Sequence, residues 1–429
     1  MTHYYQQCIA PDCRAEFDLD ARLYVCSRCG GLLDIERREA IDSTSLRDVW
    51  RTRRGSGVWR FREFLPFTDD TPIVSLGEGN TPLYDAPRSA DYCRLPQLKL
   101  KHQGCNPTGS FKDTGMTVAV TQARKLGARL VICASTGNTA ASLAAYAARA
   151  DLTCAILVPG GQVSHAKLAQ ALDYGAKVLE VDGNFDTCMN LIRELAKDES
   201  VYLVNSINPF RIEGQKTVAF ELAEQLDWQV PDHLVVPGGN LGNSSAFGKG
   251  FRELVACGLI DRQPKITVVQ AEGAAPFARF YSDDEHESFV NEEHPQTLAS
   301  AIKIGAPVSW QKAWRAVRET GGSVITVTEQ EIADAKAVIG RDGIGCEPAS
   351  ATTVAGIRKL GINENESVVA VLTGHVLKDT DYVIKYHSNS LIAPAGEKLV
   401  SNFGNSPIRV AVSQDLHDLQ DLQDILKIM

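Results

Sequence analysis

Short apolar runs alternate with amphipathic, helix-like stretches along most of this 429-residue chain. Such alternation is typical of parallel β-sheets that carry helices on both faces. The pattern is interrupted over residues 271–306, an acidic stretch with two prolines that predicts long loops. Apolar positions recur at helical spacing over residues 416–429 and predict an amphipathic helix there. The predicted strands cover residues 97–101, 130–134, 152–158, 178–181, 201–204, 234–236, 266–269, 324–327 and 368–372.

Composition and charge narrow the possible classes of protein. Hydrophobic residues make up 44% of the chain and charged residues 23%, which predicts two or three domains with a substantial core. The formal net charge of −9 gives nucleic-acid binding no electrostatic support. No apolar run in the sequence approaches the roughly 20 residues that span a bilayer, and the first residues contain no apolar signal core. We therefore expect a cytoplasmic protein without a nucleic-acid or membrane partner.

Four of the eleven cysteines form two close pairs near the N-terminus. Four residues separate Cys8 from Cys13, two separate Cys26 from Cys29, and twelve lie between the pairs. Two such pairs can surround one Zn²⁺ ion tetrahedrally, and the metal would stabilise a segment too short for its own core. Two disulfides or four free thiols are the alternatives. The spacing predicts a zinc-ribbon-like segment over residues 1–40 with a structural, not catalytic, metal.

Residues 36–75 are rich in arginine and include Trp50 and Trp59. A phosphate-binding surface is one interpretation of this basic stretch. The pattern favours a second interpretation, a solvated face or an interface with the rest of the chain, because scattered charges usually cover surfaces. The arginines concerned are Arg37, Arg38, Arg47, Arg51, Arg53 and Arg54.

The stretch with the clearest chemistry is Asn-Pro-Thr-Gly-Ser-Phe-Lys-Asp, residues 106–113. It follows a predicted strand, and Pro107 and Gly109 predict a turn before a helix that begins near Lys112. A helix N-terminus favours anions, so it disfavours the charged form of a lysine placed there. The amine then tends towards its neutral, nucleophilic form, which covalent chemistry on a carbonyl requires. An ordinary exposed lysine is the alternative.

Glycine-rich or polar turns also follow other predicted strands. Backbone N–H groups of such turns can approach a phosphate at a helix N-terminus. Together with Lys112 these turns suit pyridoxal phosphate: the lysine would carry the aldehyde and a glycine-rich loop the phosphate. Asn138 and Thr373 could contact the cofactor ring. The turns lie at residues 135–139, 237–243 and 373–375.

Taken in order, these stretches resemble the threonine synthases, pyridoxal-phosphate enzymes of the tryptophan-synthase-β type, or fold type II. The resemblance runs from about residue 77 to residue 379. It implies an α/β fold with two open parallel-sheet domains and the cofactor in the cleft between them. The catalytic region would cover residues 41–429 and follow the zinc-knuckle-like segment, and its smaller, movable subdomain would cover roughly 125–212. The matched stretches are residues 77–83, 106–113, 135–139, 239–243 and 373–379, and residues 205–215 also fit.

The resemblance also implies a role for individual residues. Lys112 would hold the cofactor and act as the catalytic base. Asn138 and Thr373 would contact the cofactor ring, and Arg211 would bind the phosphate of the substrate with Thr139 and Ser206. The cofactor phosphate would be held by Gly239, Asn240, Leu241, Gly242 and Asn243.

The implied reaction converts O-phospho-L-homoserine and water to L-threonine and phosphate, by γ-elimination and β-addition of water, in a homodimer. Other interpretations stay open within the same fold, namely cysteate synthase and serine/threonine ammonia-lyase. A non-catalytic protein that uses its zinc knuckle for binding is an interpretation from another class. One residue departs from the family pattern: many relatives carry arginine where this chain has Thr114, so an ion pair of those relatives would be missing.

Overall fold

Parallel β-sheets and helices dominate the structure, a computed structural model that describes residues 3–55, 57–161, 165–283 and 288–407. The α/β architecture predicted from the alternating apolar runs is confirmed. The helix predicted over residues 416–429 lies outside the described residues. Across the part of the chain that the structure describes, no helix has the length and apolarity needed to cross a membrane.

The N-terminal segment forms a small antiparallel sheet that is tied to the rest of the protein. Its strands are β1 (Tyr4–Cys8), β2 (Glu16–Asp18) and β3 (Leu33–Arg37). Strand β1 lies in the centre and pairs with both of the others. Asp34 in β3 is buried and forms ion pairs of 2.7 Å with Lys312 and 2.9 Å with Arg315. These buried contacts fix the segment against the catalytic region.

Part of the basic stretch over residues 36–75 packs against residues later in the chain, the interface that its pattern favoured. Trp50 lies in helix α1 (Leu46–Thr52) and is fully buried. Its ring centroid is 4.8 Å from that of Phe61 and 6.0 Å from that of Phe220. Arg47 donates a 2.6 Å hydrogen bond to the carbonyl oxygen of Leu259. This part of the stretch is therefore an internal interface.

The larger sheet has one antiparallel edge strand and is otherwise parallel. Its strands are β4 (Leu83–Asp85), β5 (Leu98–His102), β10 (His233–Pro237), β11 (Lys265–Ala271), β12 (Val324–Val327) and β13 (Val368–Leu372). Their order is β12-β11-β10-β13-β5-β4. Strand β13 is buried along its whole length, because helices cover both faces of a parallel sheet.

The smaller sheet is entirely parallel. Its strands are β6 (Leu130–Ala134), β7 (Thr153–Pro159), β8 (Lys177–Val181) and β9 (Val201–Leu203), in the order β8-β7-β6-β9. All four lie within residues 125–212, the range expected for a movable subdomain. The movement itself stays a prediction.

Helices connect the strands and join the two sheets. They are α2 (Pro87–Cys93), α3 (Lys112–Lys125), α4 (Asn138–Ala150), α5 (His165–Asp173), α6 (Phe185–Leu195), α7 (Phe210–Gln225), α8 (Gly242–Ala256), α9 (Pro276–Ser282), α10 (Trp310–Thr320), α11 (Glu329–Arg341), α12 (Pro348–Ile357) and α13 (Thr380–His387). Helices α3 and α7 pack so closely that a Cβ atom on Gly214 would lie 1.8 Å from the carbonyl oxygen of Thr114. Only glycine permits this approach.

The loop prediction for residues 271–306 is wrong over α9. Pro276 is the first residue of that helix, where the missing N–H of a proline costs nothing and its fixed φ suits the helix. The proline therefore marks a helix start inside this stretch rather than a long loop. The buried side chains of Phe277 and Phe280 anchor the helix.

Candidate active site

The turn over residues 106–113 joins β5 to α3 and places Lys112 at the first position of the helix. Its backbone is tied to the loop after β13, because the Phe111 N–H donates to the Thr373 carbonyl at 2.9 Å. The carboxylate of Asp113 closes the turn by accepting hydrogen bonds from the Thr108 N–H at 2.7 Å and the Thr108 hydroxyl at 2.6 Å. Lys112 is thus held at the ends of two adjacent strands.

The amino group of Lys112 lies 4.1 Å from the centroid of the Phe111 ring. Burial, and next the positive charge of Arg211, lower the pKa of Lys112 to about 7, while the carboxylate of Glu347 acts in the opposite direction. A large fraction of this amine is therefore neutral near neutral pH. The sequence predicted a neutral amine because of the helix N-terminus. In the structure, desolvation is the main cause of the lowered pKa.

Glu347 is a buried carboxylate that sequence reasoning missed. It accepts hydrogen bonds from Asn138 Nδ2 at 3.0 Å and from the Thr373 hydroxyl at 3.2 Å. Burial raises the pKa of Glu347, and these two hydrogen bonds oppose the rise. A Cβ atom on Gly374 would lie 2.3 Å from Cδ of the glutamate, so only glycine fits beside it. Glu347 thereby joins the two residues that the sequence assigned to the cofactor ring.

Thr373 is held on a second side by the start of helix α12. Its N–H donates to the Ser350 hydroxyl at 2.8 Å, and the two hydroxyl oxygens lie 3.1 Å apart. The side chain of Thr373 is therefore fixed by two groups before any ligand contacts it.

The glycine-rich loop ends β10 and begins α8, as its position between an apolar run and a helix predicted. Leu241 has a left-handed backbone with φ of 64°, which turns the chain into the helix. The side chain of Asn243 is buried, and neither its nitrogen nor its oxygen has a hydrogen-bonding partner within the described residues. An unpaired amide at a helix N-terminus fits an anionic ligand with acceptor oxygens. The residues present therefore fit the phosphate of pyridoxal phosphate.

Arg211 lies in the first turn of α7 and is only 2% exposed. Its Nη1 makes a long 3.4 Å hydrogen bond to the Val204 carbonyl, and its buried Nε has no partner. No carboxylate in the described part of the chain forms an ion pair with it. Burial lowers the pKa of Arg211 to about 10, which leaves the group charged at neutral pH. Because a buried cation without a counter-charge is costly, this site favours a bound anion.

Thr139 and Ser206 lie at the same edge of the smaller sheet. Thr139 is in the first turn of α4, after β6, and Ser206 follows β9. The two strands are parallel neighbours, so their carboxyl ends share one edge. Both residues are partly exposed and can reach a ligand there.

Comparisons with known proteins identify the family of the chain. The family described as pyridoxal-phosphate dependent enzyme matches residues 74–374, and the chain belongs to that class. It is 47% identical over 390 residues to the threonine synthase of Methanocaldococcus jannaschii, across 89% of this chain and 94% of that protein. It is 46% identical over 337 residues to the threonine synthase of Synechocystis, across 78% of this chain and 86% of that protein. Within its class the chain is a member of the threonine synthases.

Solved structures support the fold. The structure of threonine synthase from Escherichia coli matches with a TM-score of 0.65 at 19% identity, over 84% of this chain and 85% of that chain. The processed form of threonine deaminase isoform 2 from Solanum lycopersicum matches with a TM-score of 0.60 at 21% identity, over 69% of this chain and 79% of that chain. The predicted fold type and enzyme class are confirmed, and pyridoxal phosphate is the cofactor of the family.

Proposed function

We propose that this chain converts O-phospho-L-homoserine and water to L-threonine and phosphate. Membership of the threonine synthases supports the reaction. The observation that carries the choice of substrate is Arg211, a buried cation without a counter-charge in the described chain, whose charge acts on Lys112. A phosphorylated amino acid would bring the missing negative charge next to the reactive amine.

Lys112 is proposed to hold the cofactor and, once released from it, to move protons at the carbon atoms of the substrate. When bound, pyridoxal phosphate supplies an electron sink that stabilises negative charge on those carbons. A pKa of about 7 for Lys112 suits an amine that must both accept and return protons near neutral pH. Exclusion of water by the buried surroundings helps to keep the amine neutral.

The remaining site residues are proposed to bind and orient. The loop of Gly239, Asn240, Leu241, Gly242 and Asn243 would hold the cofactor phosphate, and Asn138 and Thr373 would contact the ring. A hydroxyl such as that of Thr373 cannot stabilise a protonated ring nitrogen as a carboxylate would. Arg211, Ser206 and Thr139 would bind the phosphate of the substrate.

Glu347 is proposed to orient the ring-contacting residues, and the variant Glu347→Gln tests this. An amide has only one acceptor oxygen, so either Asn138 or Thr373 loses its acceptor. We expect kcat to fall about tenfold, the effect of one lost hydrogen bond to a charged acceptor, with little change in KM. Steady-state kinetics and cofactor titration measure both. Glu366→Gln is the matched control, because Glu366 precedes β13 whereas the cleft lies after it. Unchanged kcat and cofactor affinity would refute the role.

We propose that Cys8, Cys13, Cys26 and Cys29 hold a structural zinc ion. Their sulfur atoms lie within 4.8 Å of one another, with 3.4 Å between Cys8 and Cys29 and 3.7 Å between Cys13 and Cys26. Four sulfurs at Zn–S distances of 2.3 Å would be about 3.8 Å apart in a tetrahedron. A disulfide needs about 2.05 Å, so the arrangement suits a metal better than two disulfides. A four-cysteine site has no open position for substrate.

The variant Cys26→Ser should lose the zinc ion, about one per chain, and lower the melting temperature. Removing one thiolate leaves an incomplete tetrahedron, and the short N-terminal segment then loses its cross-link. Loss of the zinc ion should therefore reduce stability more than it reduces turnover. Elemental analysis and thermal unfolding provide the measurements, and Cys257→Ser, outside the cluster, is the control. Wild-type metal content and stability in Cys26→Ser would rule out the site.

We further propose that the protein acts in the cytoplasm as a homodimer with a small-molecule substrate and no nucleic-acid or membrane partner. The net charge of −9 supports the absence of a nucleic-acid partner. The family resemblance supports the dimer. Analytical ultracentrifugation of the cofactor-loaded protein should give twice the mass of one chain.

A comparison of substrates tests the proposed reaction. The purified protein with pyridoxal phosphate should release phosphate from O-phospho-L-homoserine and form threonine in equal amount. Phosphoserine with sulfite tests cysteate synthase, and free threonine tests the ammonia-lyase. Faster turnover of either alternative than of phosphohomoserine would overturn the proposal.

A further inference from the structure

A cavity of about 480 Å³ lies between helices α11 and α13 and the segment that follows α13. None of its lining residues belongs to the proposed active site. The lining is partly apolar and partly cationic, and no aspartate or glutamate of the described chain lines it. Its lining residues include Lys336, Arg341, Tyr382, His387 and Phe403.

Lys336 is the buried lysine among the lining residues of the cavity. It is 9% exposed, and within the described residues its amino group has neither a hydrogen-bond acceptor nor an ion pair. The Tyr382 ring centroid is 6.0 Å from Nζ. Burial lowers the pKa of Lys336, while Cys346 and then Asp379 act in the opposite direction through their electrostatic interaction with the amino group. A buried ammonium group beside an empty volume favours an anionic ligand.

Tyr382 provides a second, independent observation. It is 4% exposed, and its hydroxyl group has no hydrogen-bonding partner in the described structure. Buried hydroxyl groups are usually hydrogen-bonded. A ligand with acceptor oxygens would satisfy the ammonium group of Lys336, and a small turn of the Tyr382 ring would bring this buried hydroxyl group to the same ligand.

One further cationic side chain, Arg341, and one histidine, His387, line the cavity. Arg341 is exposed, and its guanidinium carbon lies 5.0 Å from the centroid of Phe403. His387 accepts a hydrogen bond from the Asn405 N–H through Nδ1 at 3.1 Å. Burial, and next the charges of Lys336 and Arg341, lower the pKa of His387. The positive charges of Lys336 and Arg341 therefore act on the same space, and they disfavour the charged form of His387.

We propose that this cavity binds a small organic anion, a phosphate or carboxylate with a compact apolar body, at a site separate from the active site. Lys336 would pair with the anionic group, and the Tyr382 hydroxyl would donate to it. Arg341 would contribute at the rim, while the aromatic and aliphatic lining would cover the apolar body. A zwitterionic amino acid fits less well, because no carboxylate of the described residues lines the cavity to receive its ammonium group.

Calorimetric titration with phenyl phosphate tests the proposal. The titration uses the cofactor-loaded full chain carrying Arg211→Ala, which disables the proposed pocket for the substrate phosphate. We expect one molecule of phenyl phosphate bound per chain.

Adding Lys336→Met should weaken binding by about tenfold or more, as for the loss of a charged hydrogen-bond partner. Arg341→Gln, an exposed change that folding tolerates, should also weaken it. Benzyl alcohol, which has a similar ring but no charge, should not bind.

Lys385→Met is the matched control, because Lys385 lies on the same helix as Tyr382 but is exposed and does not line the cavity. The Lys385→Met change, added to the Arg211→Ala protein, should leave the affinity for phenyl phosphate unchanged. The Arg211→Ala protein is the background protein of these titrations. Absence of binding to the background protein would overturn the proposal. Equal affinity in the background protein and the Arg341→Gln variant would also overturn it, and this comparison holds even if Lys336→Met does not fold.

Discussion

Replacing Lys112 with alanine should abolish turnover and remove the absorption band of the lysine-bound cofactor. The expected loss is about 10³-fold or more, because the amine supplies both the covalent anchor and the proton transfers. The structure places this amine at the first position of α3, where its pKa of about 7 makes it nucleophilic at neutral pH. Absorbance spectra and phosphate release measure the two effects.

Lys378 provides the matched control. It is also near the turn that carries Lys112, since a Cβ atom on Gly109 would lie 3.6 Å from its Nζ, but it is hydrogen-bonded to Gln170. Lys378→Met should therefore keep the cofactor band. Borohydride reduction of the wild-type protein followed by peptide mapping should label Lys112. A label on any other lysine would contradict the assignment.

The second large effect is expected for Arg211→Ala. This change should leave the cofactor band intact, because the cofactor phosphate has its own loop, and should reduce kcat/KM for phosphohomoserine. Loss of one desolvated, charged hydrogen-bond partner costs on the order of 2–4 kcal/mol, a factor of roughly 30 to 1,000 in kcat/KM. Steady-state kinetics with phosphohomoserine provide the measurement.

Arg211→Lys should recover only part of this loss, since an ammonium group lacks the planar fork that matches two phosphate oxygens. Arg262→Ala is the control, because Arg262 is exposed and paired with Asp232. If Arg211→Ala kept near-normal kcat/KM, the phosphate pocket would be wrong, and so would the main residue-level reason for a phosphorylated substrate.

The sequence predicted the central strands well because their burial leaves a continuous apolar run. Strands β6 and β13 coincide with the predicted runs, and β5 differs by one residue at each end. Lys112 was also selected from the sequence, because it follows a strand and a turn with proline and glycine. That signal is local, so a reader of the sequence can find it. Arg211 was selected through the resemblance of residues 205–215 to the threonine synthases.

Glu347 shows what local signals could not reveal. It lies 209 residues from Asn138 and 26 from Thr373, and only the folded sheet brings the three together. The one local sign in the sequence was the position of Glu347 directly before Pro348, which begins α12. That pattern also fits an ordinary helix start. The desolvation that lowers the pKa of Lys112 likewise depends on long-range packing.

The most direct test of the central claim is to run the reaction in ¹⁸O-labelled water and analyse the products by mass spectrometry. Cleavage of the carbon–oxygen bond followed by addition of water predicts threonine with one solvent oxygen and an equal amount of unlabelled phosphate. Homoserine with labelled phosphate would indicate simple hydrolysis of the phosphate ester. That result, or 2-oxobutanoate with ammonia in place of threonine, would contradict the proposed reaction.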